Sequence, residues 1–233
     1  MDRQITEAIV LAGGLGTRLR SEIGEHPKAL APVNGQPFLH YLLNYLKSQG
    51  IKTVILSVGY KHEMIEKAIG NTYNGLSIIY AVESEPRGTG GGLKLALEKT
   101  TTDDILVCNG DTFFDIDLSR LTKMHQENKS NCTIALKKME NGGRYGNVVM
   151  DDENKIIAFH EKSPRENALI NGGMYCIKRG ILTHYPVNTP FSFETNYLEN
   201  GTKAKKIFGL TFDNYFKDIG VPEDYKQFEL DQK

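Results

Sequence analysis

The chain has 233 residues, 39% of them hydrophobic, and a formal net charge of −1. That length and apolar fraction can bury a substantial core, while the near-neutral balance excludes nonspecific attraction to nucleic acid or to an anionic membrane as a main activity. The opening MDRQITEAIVLAGG is too short in apolar residues for a signal peptide and no run reaches the roughly 18 apolar residues of a membrane span, so a soluble, cytoplasmic protein is expected.

The first half alternates apolar, β-rich runs with amphipathic ones, the pattern of βαβ units around a mostly parallel sheet. A strand is predicted over 5–12. A helix over 38–49 follows, with apolar residues at 38, 39, 42, 43 and 46 and Gly50 as its C-cap. Strands over 54–58 and 77–82 flank a short helix over 62–69. A helix over 91–99 places Leu93 and Leu97 on one face, and a strand over 105–108 ends at Asn109-Gly110-Asp111. Such a layout is doubly wound.

Beyond Asp117 the pattern changes. A helix over 118–127 precedes strands over 132–136, 147–150, 156–159 and 173–177, joined by polar turns such as DDEN and NGGRYG. These denser strands predict a small antiparallel or mixed extension of the sheet. With no Pro- or Ser-rich linker, a single domain over 1–233 is expected, with a nucleotide-binding lobe over 1–112 and a sugar-phosphate lobe over 113–233. Cys108, Cys132 and Cys176 each fall in a strand-like run and read as buried, reduced thiols.

The glycines of VLAGGLGTRLR follow the first predicted strand, at the end of an open α/β sheet where ligands bind and where backbone amides can approach an anion. Two common phosphate loops are excluded: no Gly-Lys-Ser/Thr is present, and Leu19 stands where a dinucleotide fingerprint needs its third glycine. The histidines show no metal-ligand spacing, and no Gly-x-Ser-x-Gly elbow occurs. His160 reads as a strand-surface residue.

The string LAGGLGTRLRSEIGEHPK, from Leu11 to Lys28, resembles the N-terminal signature of the sugar-1-phosphate nucleotidyltransferases, Gly-Gly-x-Gly-Thr-Arg-Leu followed by a Pro-Lys pair. The resemblance continues in order along the chain: Glu83-Ser-Glu-Pro-Arg-Gly-Thr-Gly-Gly is similar to the family's base-reading loop, usually Gln-x-x-Pro-x-Gly-Thr-Ala. Asn109-Gly110-Asp111, Tyr145-Gly146, Glu161-Lys162, Asn171-Gly-Gly-Met-Tyr175 and Phe216-Lys-Asp218-Ile-Gly220 are similar to its metal, sugar-phosphate, sugar-floor and second metal segments. It implies a Rossmann-like fold, a mixed, mostly parallel central sheet flanked by helices.

It also implies a reaction: a sugar 1-phosphate oxygen attacks the α-phosphorus of a nucleoside triphosphate, releasing pyrophosphate and giving an NDP-sugar. By that resemblance Arg18, Lys28, Asp111 and Lys162 are the catalytic residues. Arg18 would bridge phosphate oxygens, Lys28 would hold the triphosphate and Lys162 the sugar phosphate. Asp111 and Asp218 would bind Mg²⁺ with hard carboxylate oxygens. Leu11, Ala12, Gly13, Gly14, Gly16, Thr17, Glu83, Gly88 and Thr89 would bind the nucleotide, and Asn109, Gly146, Glu161, Asn171 and Gly173 the sugar.

At the commonly glutamine position stands Glu83. A glutamine both donates and accepts, which suits uracil or thymine; an ionised glutamate only accepts, which matches the adjacent N1–H and amino donors of guanine. GTP is therefore expected. The competing reading has Glu83 capping the helix that follows or pairing with Arg87, with base choice left to backbone groups of Gly88 and Thr89.

The text of VNGQPFLHYLLNYL, VGYKHEMI, EPRGTGGGL, FSFE and DIGVPEDY most resembles a branch of short guanylyltransferases acting on D-glycero-α-D-manno-heptose 1-phosphate, which implies a GDP-heptose for a surface glycan, as in capsule or lipopolysaccharide. Mannose 1-phosphate guanylyltransferases and short uridylyltransferases remain alternatives, as does a non-catalytic nucleotide-sugar sensor. No left-handed β-helix or acyltransferase extension is expected after the PEDY helix, and a homodimer is plausible for the family.

Overall fold

The computed structural model describes residues 4–14, 16–161, 166–186, 189–202, 204 and 206–233. Strand β1 (Glu7–Leu11) leads through a short helix α1 (Arg20–Ile23) and a tight hairpin, β2 (Pro32–Val33) and β3 (Gln36–Pro37), into α2 (Phe38–Ser48). Then come β4 (Thr53–Val58), α3 (His62–Ile69), β5 (Thr72–Tyr73), β6 (Leu76–Val82), α4 (Gly88–Leu97), β7 (Asp104–Asn109) and β8 (Thr112–Phe114). The second half runs α5 (Leu118–Glu127), β9 (Cys132–Asn141), β10 (Asn147–Met150), β11 (Ile156–His160), β12 (Glu166–Lys178), β13 (Ile207–Thr211), β14 (Phe216–Asp218) and α6 (Pro222–Asp231).

Among the described residues one ten-stranded sheet has the order β11-β10-β12-β7-β1-β4-β6-β5, with β9 and β13 branching from β12. Strands β7, β1, β4 and β6 are parallel, and β12 runs antiparallel to β7. The mixed sheet with parallel central strands, flanked by helices, is as expected. Side-chain alternation along β1 shows why both faces are covered: Ala8 and Val10 join a core with Leu42 and Leu46 of α2 and Ile65 of α3, while Ile9 joins another with Leu93 and Ala96 of α4. No described helix is long and apolar enough to cross a membrane. All three cysteines are buried, and none of them forms a disulfide.

Helix α4 and strands β9 and β12 depart from their predicted bounds by three residues or more, β9 running on from 136 to Asn141. Helix α4 begins at Gly88 instead of 91, because its glycine-rich first turns are pinned from outside: the Gly90 N–H donates to the Phe191 carbonyl (2.9 Å) and the Phe191 N–H to the Arg87 carbonyl (3.0 Å). Tertiary contact overrides the poor helix propensity of glycine. Strand β12 starts at Glu166, not at 173, and is broken by a register shift between Asn171 and Tyr175, where Gly173 has φ +70°. Before the bulge β12 pairs with β10, and after it with β7, so one strand joins the two halves of the sheet.

His125 of α5 is fully buried, with Nδ1 3.0 Å from Thr133 Oγ1 and Nε2 3.5 Å from Asp104 Oδ1. Burial outweighs the attraction of Asp104 and lowers the imidazole to about 4. The folded pKa is thus below the unfolded one. The stabilisation is complete above about pH 6.5 and is lost as pH falls toward 4, by roughly 3 kcal/mol. Urea titrations across this range should show a slope that His125→Gln flattens; an unchanged slope would refute the assignment.

Candidate active site

The carboxyl ends of β1, β4, β6 and β7 open onto a cleft of about 720 Å³. Every residue expected on the nucleotide side lines it: Leu11, Ala12, Gly13, Gly14, Gly16, Thr17, Glu83, Gly88 and Thr89. So do Arg18, Lys28, Asn109 and Asp111.

The loop after β1 is built by alternate anchoring. Gly16, at φ +60°, opens a 3-10 turn over Thr17–Leu19, and the Leu19 N–H donates to the Gly16 carbonyl (3.1 Å). A Cβ at Gly16 would lie 3.1 Å from Lys28 Cβ, so glycine lets the loop pack on the base of the lysine. Leu19 is fully buried beside Ile23, Ile219, Tyr225 and Phe228, worth roughly 1.5–3 kcal/mol of burial, and its neighbour Arg18 is left exposed at the cleft. Lys28 heads a second 3-10 turn, Lys28–Leu30, whose Ala29 and Leu30 are buried.

Asp111 and Asp218 are far apart in sequence and adjacent in space because β8 and β14 form a two-stranded antiparallel sheet. Its register pairs Asp218 with Thr112, and the Ile219 N–H donates to the Asp111 carbonyl (2.9 Å). Lys28 Nζ lies between the two carboxylates, 2.6 Å from Asp111 Oδ2 and 3.7 Å from Asp218 Oδ1, with its side chain 12% exposed. Burial, and then the like charge of Asp111, push the Asp218 carboxyl above its usual range, while Lys28, the Gly220 N–H and Arg144 pull it back.

Two hard carboxylates converging on one cation-sized position fit Mg²⁺. Among the described residues no cluster of three or more His, Cys, Asp or Glu side chains could hold a metal by itself. Such a site matches an ion that takes one or two carboxylates and completes its shell with substrate phosphate oxygens and water.

Of the residues expected to bind the sugar, Gly146, Glu161, Asn171 and Gly173 lie outside the lining of the cleft but join it through Asn109. The Asn171 N–H donates to the Gly146 carbonyl (2.8 Å), the Gly173 N–H donates to Asn171 Oδ1 (3.0 Å), and a Cβ at Gly173 would come within 2.7 Å of Asn109 Nδ2. A Cβ at Gly146 would lie 3.0 Å from Glu161 Oε2. The Asn171 amide also donates to the Tyr175 hydroxyl (2.7 Å), so part of its hydrogen-bonding capacity serves the bulge of β12. Lys162 lies outside the described residues.

The position of Glu83 is compatible with both of its expected roles. It lines the cleft, and its Oε2 accepts from the Arg87 N–H (3.2 Å), closing the turn into α4. Burial raises its carboxyl, against the lowering effects of the Arg87 N–H and side chain. Sequence reasoning missed other lining residues: Ser57, Gly59, Tyr60, Gly92 and Glu194. The rule that ligands lie beyond carboxyl strand ends extends to the loop after β4 and could have found Gly59 and Tyr60. Glu194 belongs to FSFE, whose resemblance was noted without a role; its Oε2 accepts from the hydroxyls of Thr89 (2.6 Å) and Ser192 (2.8 Å).

Residues 7–233 match the nucleotidyl transferase family. The chain is 48% identical over 221 residues to a D-glycero-α-D-manno-heptose 1-phosphate guanylyltransferase of Aneurinibacillus thermoaerophilus, covering 95% of this chain and 96% of that one. It is 46% identical to the enzyme of the same name from Campylobacter jejuni, covering 95% and 98%. The crystal structure of HddC from Yersinia pseudotuberculosis complexed with GMP-PN superposes with a TM-score of 0.87 at 32% identity, over 98% of this chain and 100% of that one. From sheet order, glycine loop and full-length similarity together, the chain belongs to the nucleotidyl transferase family.

Proposed function

We propose that the chain is a guanylyltransferase that joins GTP and D-glycero-α-D-manno-heptose 1-phosphate into GDP-heptose, releasing pyrophosphate. The observation that carries the reading is one cleft lined by Glu83, a glycine loop, Lys28 and Asp111, with Asp218 3.7 Å from the Lys28 ammonium. The two relatives named as heptose 1-phosphate guanylyltransferases, and the neighbour complexed with GMP-PN, support guanine and heptose as the substrates.

In this reading Glu83 accepts from the guanine N1–H and amino group, and those donors in turn favour its ionised form. The amides of the Gly13–Gly16 region and the first turn of α4 approach the nucleotide closely. An oxygen of the sugar phosphate attacks the α-phosphorus, the bond to the bridging α–β oxygen breaks, and its electron pair leaves with pyrophosphate. Because two polyanions meet, catalysis consists of placement and charge neutralisation. Arg18 and Lys28 hold phosphate oxygens, Lys162 the sugar phosphate, and Glu161, Asn109, Asn171 and the backbone at Gly146 and Gly173 the sugar hydroxyls. Asp111 and Asp218 would hold Mg²⁺, which when bound offsets charge on the triphosphate oxygens.

Pyrophosphate release, measured with each nucleoside triphosphate against heptose, mannose and glucose 1-phosphates, tests the reading. GTP with the heptose phosphate is expected to give the highest kcat/KM. Release with UTP or dTTP but not with GTP would overturn the role of Glu83, and no release with any pair would leave a binding protein only.

A further inference from the structure

We infer that Gly92 is a specificity-determining position, because its missing side chain is the space in which the Glu83 carboxylate lies. The inference rests on the reading of Glu83 as the base acceptor. Gly92 belongs to the second turn of α4, is buried and lines the cleft. A Cβ there would stand 2.1 Å from Glu83 Oε1 and 2.9 Å from Ser57 Oγ. The first distance is far inside van der Waals contact.

The other carboxylate oxygen is already committed. Glu83 Oε2 accepts from the Arg87 N–H (3.2 Å), and the Arg87 carbonyl is tied to the Phe191 N–H (3.0 Å), so the turn that holds Oε2 is itself fixed. With one oxygen anchored, the direction of the other is set by what the helix leaves open. Gly59 flanks the carboxylate on the β4 side, where a Cβ would lie 3.9 Å from Oε2. Glu83 is therefore aimed by a bond at one oxygen and by a vacancy at the other. A side chain at position 92 would move the end of a flexible residue and leave the backbone alone, so its effect should fall on base recognition and not on the fold.

The same run explains a departure from the family pattern. Where that pattern has Ala, this chain has Gly90, at which a Cβ would stand 2.2 Å from the Phe191 ring. The glycines of GTGGG are thus not equivalent: Gly90 makes room for the FSFE segment, and Gly92 makes room for the carboxylate.

A double-mutant cycle tests the inference, using E83A, G92A and the double variant, with kcat and KM for GTP and UTP and thermal melts. E83A is expected to lower GTP kcat/KM roughly 10- to 100-fold, the range for losing hydrogen bonds to a charged group. G92A is expected to raise the GTP KM about tenfold with kcat changed less than about twofold, and the double variant to be no worse than E83A alone. An unchanged GTP kcat/KM in E83A would overturn the reading of Glu83. A loss in E83A with none in G92A, or a double loss equal to the product, would overturn the role of Gly92 and leave that reading intact. Should G92A melt early, removing the carboxylate in the double variant is expected to restore the melting temperature; a double variant melting as early would equally overturn it.

Discussion

Asp111→Asn is expected to abolish Mg²⁺-dependent turnover, by at least about a hundredfold in kcat, while the protein stays folded. The substitution keeps the shape of the side chain and removes its charge. The structural duty of the residue rests on its backbone, whose carbonyl accepts from the Ile219 N–H (2.9 Å) and so couples β8 to the segment after β14. The carboxylate is 37% exposed and faces Lys28, so losing the ion pair costs about 1 kcal/mol or less. For a chain of this length that lowers the melting temperature by only a few degrees. Lys28 keeps Asp218 as a partner at 3.7 Å. Pyrophosphate release and a thermal melt on the same preparation separate the two effects. A near-normal rate would show that Asp111 does not hold the metal.

The contrast between Asp111 and Asp218 shows what a sequence can carry. Asp111 sits at a strand end inside a short contiguous motif, and both strand and motif are local features. Asp218 was matched by resemblance, but its approach to Asp111 depends on the pairing of β14 with β8, a contact between distant segments that no local periodicity encodes. The wall proposed for the sugar has the same origin. Gly146, Asn171 and Gly173 meet because β12 changes partner at its bulge, and the polar ENALIN run gave no strand pattern to extend it from Gly173 back to Glu166. Strands held by neighbours on both sides need no apolar alternation of their own.

Glu83 illustrates a different limit. Residue type fixed what it can do chemically, which is to accept, but not whom it accepts from. The structure gives one oxygen to the Arg87 N–H and turns the group into the cleft, so capping and base recognition are compatible. The start of α4 departs from its expected place for a related reason: a run of glycines predicts no helix, yet Gly88, Gly90 and Gly92 are glycine because Phe191 and Glu83 occupy the volume a side chain would need. Low propensity here records tight packing.

Lys28→Met separates the two tasks of the lysine, and its expected result has two parts. Turnover should fall about 10²- to 10³-fold, the loss seen when one charge-stabilising donor is removed from a transition state. Metal binding should move the other way. Lys28 Nζ stands 2.6 Å from Asp111 and 3.7 Å from Asp218, where a divalent ion would have to enter, so the ammonium competes for those oxygens. Removing it leaves two like charges with only Arg144 among the described residues, 3.7 Å from Asp218 Oδ2, to offset them, Asp218 being only 20% exposed. The variant should therefore melt earlier than the wild type in chelator, and Mg²⁺ should raise its melting temperature more than it raises that of the wild type, by linkage to the folded state. Titrating Mg²⁺ against both proteins, without nucleotide, reads this directly. Equal shifts in the two would mean that Lys28 and the metal do not share the carboxylates, and turnover within a few fold of the wild type would remove Lys28 from the triphosphate site.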